Sequence, residues 1–235
     1  MSRNGQSRLG TRAQPEQTRA AILDAALREF AQESLAGART DAIARAAGVN
    51  KALISYYFGG KEGLYRAALD RVFRELSRRL CQVLDEDLPP KEKILAYAGG
   101  HFDFIAQTPM LPRLVHRELM QTGRGATEHV QHITREYLQP VVVRLSATLE
   151  EGMRDGVFRR VDPPQFAISM VGVVIHYFTS GNIVRAMMQA DPFSPERLAA
   201  RRAAVLDFIS AALFTKVSSG EGPRRSTILK GKGRP

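Results

Sequence analysis

The chain has 235 residues, of which 44% are hydrophobic and 25% charged, with one cysteine and no tryptophan. That length and composition suit one large soluble domain or two small ones with their own cores. The single Cys81 excludes an intrachain disulfide framework and fits a reducing compartment, where it serves as a small apolar filler. The net charge of +10 is concentrated at the ends: +3 over residues 1–15 (Arg3, Arg8, Arg12), +4 over 217–235, and only +3 for everything between. Both ends read as flexible and basic, an arm over 1–15 and a disordered tail over 217–235, able to add nonspecific attraction to polyanions. Charge alone is therefore a weak argument for a nucleic-acid partner.

β-Branched residues form no alternating runs, and every periodic segment is helical, so the expected class is all-α with about nine helices. The first helix, about 17–33, places Ile22, Ala26 and Phe30 on one stripe with Leu23 and Leu27 beside it. Residues 39–58, RTDAIARAAGVNKALISYYF, come next as a helix-turn-helix. Ile43, Ala44 and Ala47 form a short apolar stripe. Gly48 stands where a helix end wants left-handed backbone angles, Val49 plugs the gap, and Asn50 is a strong cap for the next helix. Ile54, Tyr57 and Phe58 recur at i, i+3 and i+4 to close the small core, leaving Lys51, Ala52, Leu53, Ser55 and Tyr56 outward. A short helix with one packing face and one face of cation, hydroxyl and methyl groups suits the major groove. Gly59-Gly60 ends it, and a long fourth helix runs from Lys61 to Asp85.

Thr18–Ala31 (TRAAILDAALREFA), then DAIARAAGVNKALISYYF, then Lys61, Glu62 and Leu64 resemble the DNA-binding domain of TetR-type transcriptional regulators over residues 16–76. The resemblance implies that residues 77–216 form a helical ligand-sensing and dimerising domain. It also implies that Lys61 clamps the DNA backbone, a role that free amides at a helix N-terminus would share. Arg39 and Thr40 should reach flanking phosphates, although the family usually has Thr or Ser where Arg39 stands, which weakens the cap. Lys51 can donate to guanine, whereas Ala52 and Leu53 offer apolar contact, best with thymine methyls. Ser55 replaces a more usual Tyr, and Tyr56 should donate its hydroxyl to a phosphate while Tyr57 packs inward.

Pro89-Pro90 opens a fifth helix with Ile94, Ala98, Phe102 and Ile105 on one face, and Thr108-Pro109 caps a sixth over about 109–122. After a loop at Gly123 and Gly125, a seventh runs over about 126–155 with Pro140 as a kink. Gly152–Pro163 resembles the family's link before the dimerisation helices. Asp162-Pro163 and Ser194-Pro195 are cap-and-N1 pairs opening the eighth and ninth helices, about 163–190 and 195–216. Their apolar faces, Phe166, Met170, Val173, Val174, Tyr177 and Phe178 on one and Leu198, Val205, Phe208, Ile209 and Leu213 on the other, match the homodimer seam that the resemblance implies. A two-fold dimer also suits a palindromic site.

Large apolar residues with polar ones interspersed point to a cavity for a small hydrophobic or amphipathic effector. The candidate contacts are His101, Phe102, Arg117, Glu118, His176 and Tyr177, with Arg113, His116 and Tyr137 nearby, set against the plain alternative that each is a core aromatic or surface charge. His129 and His132 have a possible metal spacing, but no Cys or carboxylate pair completes a site, so no metal or cofactor is expected. No nucleophile, base and orienting acid assemble, so no enzyme is expected. Residues 166–188 approach the roughly 20 apolar residues that a bilayer needs, but His176, Asn182 and Arg185 would be costly there. The polar N-terminus has no apolar signal region, and the location expected is cytoplasmic. The expected function is a ligand-responsive, sequence-specific repressor of double-stranded operator DNA. The alternative is a small-molecule-binding or architectural protein whose DNA contact is incidental and charge-driven.

Overall fold

The computed structural model of the protein describes residues 13–108, 110–114 and 128–215. The basic tail, nearly all of the arm and most of the expected sixth helix, with the loop at Gly123 and Gly125, lie outside them. The described residues are helical throughout apart from their connections, with one isolated bridge between Phe158 and Phe214.

α1 (Ala13–Gly37) buries Ile22, Ala26 and Phe30 completely, the stripe read from the sequence. Its regular part stops at Ser34, whose φ of 63° is left-handed, one residue beyond the expected end. α2 (Thr40–Ala46) and α3 (Ala52–Phe58) form the helix-turn-helix. α4 (Lys61–Asp85) has the bounds expected of it. The chain turns into it through Gly59 and Gly60, at φ 71° and 119°, two successive positions that only glycine fills without strain. Phe30 meets Tyr65 edge-on at 4.8 Å inside the head. α4 packs on α1 and α3 there, and its other residues pack on the later helices of the chain.

α5 (Pro90–Gln107) buries Ile94, Tyr97, Ala98, His101, Phe102 and Ile105. The expected seventh helix is interrupted. α6 (Glu128–Ile133) passes through a π-helical turn, Thr134–Leu138, into α7 (Gln139–Arg154). Gln139 N donates to Thr134 O, five residues back. Pro140 has no N–H for the carbonyl four residues before it and its ring crowds that carbonyl. A widened turn just ahead of the proline meets the same constraint as the expected kink.

The expected eighth helix is two. α8 (Pro163–Thr179) and α9 (Gly181–Met188) are bent by 69° at Ser180. The bend lets Phe193 lie against Gly181, where any Cβ would come within 2.6 Å of the ring. No single helix among the described residues is long and apolar enough to cross a membrane. Asp162 caps α8 as expected, accepting from Gln165 N at 2.9 Å, whereas the Ser194 hydroxyl makes no cap bond to α10 (Pro195–Leu213). The link before α8 is pinned to the end of α10 by Arg159 N on Leu213 O and Thr215 N on Val157 O, and the Phe158 and Phe214 rings stack at 5.6 Å.

The apolar faces assigned to a dimer seam divide differently from the expectation. Met170, Val174, Tyr177, Phe178, Val205, Ile209 and Leu213 are buried within the one subunit. Both helices are apolar on two sides, and periodicity does not say which side the subunit's own core consumes. The large apolar side chains left outward are Ile168 on α8, Phe208 on α10, and Ile183, Met187 and Met188 on α9.

Candidate nucleic-acid interface and sensing cavity

The turn between α2 and α3 is built as its sequence requires. Ala47 N and Val49 N donate back to Ile43 O and Ala44 O, Gly48 takes φ 67°, and Asn50 Oδ1 accepts from Ala52 N at 2.8 Å to cap α3. Ile43 and Ile54 are buried behind the turn. Ala52, Ser55 and Tyr56 stand outward on α3, with Tyr56 78% exposed and its ring edge-on to Tyr57 at 5.0 Å. Leu53 is half-buried against the core, so only part of it is available to a base edge. Lys51 is exposed but paired: its ammonium lies 2.8 Å from Asp41 on α2, which holds the Asp41 carboxyl below its ordinary range. Nothing in the sequence reading singled out Asp41; its place ten residues before Lys51, across a tight turn, is the signal that was available.

Arg39 and Thr40 begin α2. Arg39 offers no side-chain cap, and the weakness expected from it is compensated from another helix, since Glu29 of α1 accepts from Arg39 N at 3.0 Å. Lys61 also has a structural task. Its Nζ donates to Ala36 O at 3.2 Å and Ala38 O at 3.3 Å, tying the start of α4 to the carbonyls that end α1. The amides of Lys61, Glu62 and Gly63 precede the first helical bond of α4, from Leu64 N to Gly60 O, at the same corner. At Gly63 a Cβ would overlap the Phe58 carbonyl oxygen, so glycine is what lets α3 and α4 meet this closely.

Behind the head, α4 forms one wall of a cavity of about 340 Å³, closed by α5, the α6–α7 segment and α8. Leu69, Phe73, Leu76 and Leu80 supply the α4 wall, with Ser77 among them. His101 and Tyr97, one helical turn apart on α5, face Ser77 from the neighbouring wall. Burial pushes the His101 imidazole down to about 4, so it is neutral, and pushes the Tyr97 phenol up. Thr134 and Leu138 of the π-helical turn line the cavity too. The same segment is tied to α4 from outside: His132 Nε2 lies 2.7 Å from Asp70 Oδ1, His132 Nδ1 3.3 Å from Arg66, and the Tyr137 hydroxyl 3.4 Å from Arg74. His129 and His132 thus serve as partners of Glu62 and Asp70, and no group of metal-ligating side chains forms among the described residues.

Of the six side chains expected to touch an effector, His101 reaches the cavity. Phe102 is next to it on α5, some 100° further round the helix, and packs on Phe178 at 5.2 Å in the core. His176 and Tyr177 do not line it: Val171 and Ile175 of α8 face the cavity, and a residue two positions on from Ile175 emerges on the far side. His176 lies against Ser180, and the Tyr177 hydroxyl donates to Pro192 O at 2.6 Å beneath Arg201. Both line an open groove between α8, α9 and α10 instead. Arg117 and Glu118, with His116, fall outside the described residues, and Arg113 is exposed away from the cavity. Tyr97 and Ser77 line the cavity as well and are not among the six. The i, i+4 spacing of Tyr97 and His101 within an apolar stripe is the clue that was there.

Two family descriptions match the chain: bacterial regulatory proteins, tetR family, over residues 22–68, and the tetracyclin repressor-like C-terminal domain over residues 90–209. The HTH-type transcriptional repressor SCO4008 of Streptomyces coelicolor is 32% identical over 149 residues, 63% of this chain and 71% of that protein. The HTH-type transcriptional regulator RutR of Escherichia coli K12 is 29% identical over 157 residues, 67% of this chain and 72% of that one. Among solved structures, a transcriptional regulator of Streptomyces coelicolor, SCO4942, superposes with a TM-score of 0.65 at 27% identity, covering 83% of this chain and 98% of that one. A head whose recognition helix is capped and turned outward, an all-helical cavity behind it, and family matches over both halves agree: the chain belongs to the TetR family of bacterial helix-turn-helix transcriptional regulators.

Proposed function

We propose that this protein is a homodimeric repressor which binds a palindromic operator through two copies of the α3 face and releases it when a small, largely apolar molecule fills the cavity. The observation that carries the reading is the double duty of α4. One continuous helix starts at the recognition corner, through Lys61 and Gly63, and walls the cavity through Leu69, Phe73, Leu76 and Leu80. A molecule that displaces this wall must move the head, and half-sites about 34–36 Å apart, or a multiple of that, tolerate little change in head separation.

In this reading residues 16–76 are the DNA-binding unit and 77–216 the sensing and dimerising unit. Arg39, Thr40, Tyr56 and Lys61 engage phosphates, while Lys51, Ala52, Leu53 and Ser55 face bases; Lys51 must exchange Asp41 for DNA as it docks. The exposed Ile168 and Phe208 supply the centre of the dimer seam, with Gly172, one turn from Ile168 and open above its Cα, permitting close approach of a partner helix. A regulator of this kind works on chromosomal DNA, in the bacterial cytoplasm.

The test is selection of duplexes from a random pool by the purified protein, then affinity measurement for the selected duplex and for a scrambled one at several salt concentrations. A symmetric consensus bound at least about a thousandfold tighter than scrambled DNA is expected of a specific regulator. Equal affinity for both at each salt concentration would favour incidental, charge-driven contact and sink the proposal.

A further inference from the structure

The chemistry of the cavity wall narrows what it binds. Its lining is hydrocarbon on α4, α5, α6, α7 and α8, and its polar groups are few: Ser77 on one wall, Tyr97 and His101 on the next, and Thr134 on the π-helical turn. Among the described residues no Lys, Arg, Asp or Glu lines it. A carboxylate taken in would lose its hydration against leucine, valine and phenylalanine side chains, with no described cation to receive it. A hydroxyl or carbonyl group would instead meet phenol, hydroxyl and imidazole, which between them both donate and accept. The imidazole is itself uncharged, because burial holds its pKa at about 4.

Size sets the second limit. An apolar protein cavity of about 150 Å³ holds one benzene. Scaled by volume, the 340 Å³ of this one corresponds to about 14 non-hydrogen atoms. Leu138 and Val142 line the cavity while remaining about two-fifths exposed (36% and 41%), which marks its mouth at the π-helical turn.

We propose that the effector is an uncharged, mostly hydrocarbon molecule of about 14 non-hydrogen atoms with a single hydroxyl or carbonyl group, and that the cavity rejects the matching carboxylate. The polar group lies at the Ser77–Tyr97–His101 corner and the hydrocarbon runs toward Leu138. This rests on the cavity being the effector site.

The experiment uses two matched pairs near neutral pH, decan-1-ol against decanoate and 2-naphthol against 2-naphthoate, titrated calorimetrically into the full chain. The neutral member of each pair is expected to bind at least about tenfold more tightly than its anion, which corresponds to about 1.4 kcal/mol. Decanoate should gain affinity as the pH falls toward the pKa of the acid, because only the protonated form enters. His101→Phe, and separately Ser77→Ala, should weaken the alcohol by about three- to tenfold while leaving the neutral-over-anion preference in place. An anion that binds as tightly as its neutral partner overturns the charge assignment and leaves the cavity as effector site intact. Failure of all four probes to bind overturns the cavity as a ligand site, and this inference with it. Unchanged alcohol affinity in both variants overturns the placement of the polar group.

Discussion

Acidification from neutral pH to about 5 should cost the folded protein roughly 2 kcal/mol through His101 alone. The imidazole is buried to 4% exposure and neutral, with its pKa pushed from 6.5 down to about 4 by burial. In the unfolded chain the same group takes up a proton below 6.5. The unfolded state therefore binds more protons than the native state throughout the window between 6.5 and about 4, and stability must fall as pH falls through it. Each pH step inside the window costs about 1.4 kcal/mol, giving roughly 3 kcal/mol once the native imidazole also charges. His101→Phe removes the titration and leaves a ring of similar size. Urea unfolding of both proteins, monitored by far-ultraviolet circular dichroism at neutral pH and at about 5, isolates the effect as a difference of differences. The wild type should lose about 2 kcal/mol more than the variant across that interval. Equal losses would show that His101 is solvated or already charged in the native state, and the argument for a dry, uncharged cavity corner would go with it.

Gly63→Ala should destabilise the head by about 1–3 kcal/mol, because its Cβ would overlap the Phe58 carbonyl oxygen, and should abolish operator binding in a gel-shift assay. Gly100→Ala, on α5 with open space above it, should instead raise stability by up to about 1 kcal/mol in the same urea titration. Lys61→Ala should weaken specific and random DNA alike, flatten the log–log salt dependence by about one for each lost phosphate contact, and speed amide exchange over residues 34–38. An unchanged salt slope with faster exchange would leave Lys61 its capping role only. Phe208→Arg should give a monomer in light scattering with the helical content kept; a variant that stays dimeric would move the seam elsewhere.

The head was legible in the sequence because its determinants are local. Gly48, Asn50 and the Gly59-Gly60 pair each specify a backbone state within a few residues, and Ile43, Ile54 and Phe30 report their faces by spacing alone. The cap on Arg39 was not legible, since it comes from Glu29 on another helix. In the sensing half, spacing located the helices but not their azimuth. α8 is apolar nearly all round, so nothing in its sequence distinguishes Ile175, which faces the cavity, from Tyr177, which faces away. The break at Ser180 was equally hidden: Thr179-Ser180-Gly181 can continue a helix, and what bends it is the seat that Gly181 offers Phe193, a residue beyond the end of α9.

The π-helical turn at Thr134–Leu138 carries one residue more than an α-helix of the same rise would hold. Each residue of an α-helix is worth about 100° of rotation, so that single surplus residue sets the angular phase between α6 and α7. Upstream, the phase points His132 at Asp70 and Arg66; downstream, it points Val141 and Val142 into the cavity. Loss of one residue here would keep every amino acid on either side, Pro140 included, yet turn one set of contacts away from its partners by more than a quarter of a circle. An insertion or deletion at this turn, more than a substitution along it, would therefore trade the grip on α4 against the shape of the pocket.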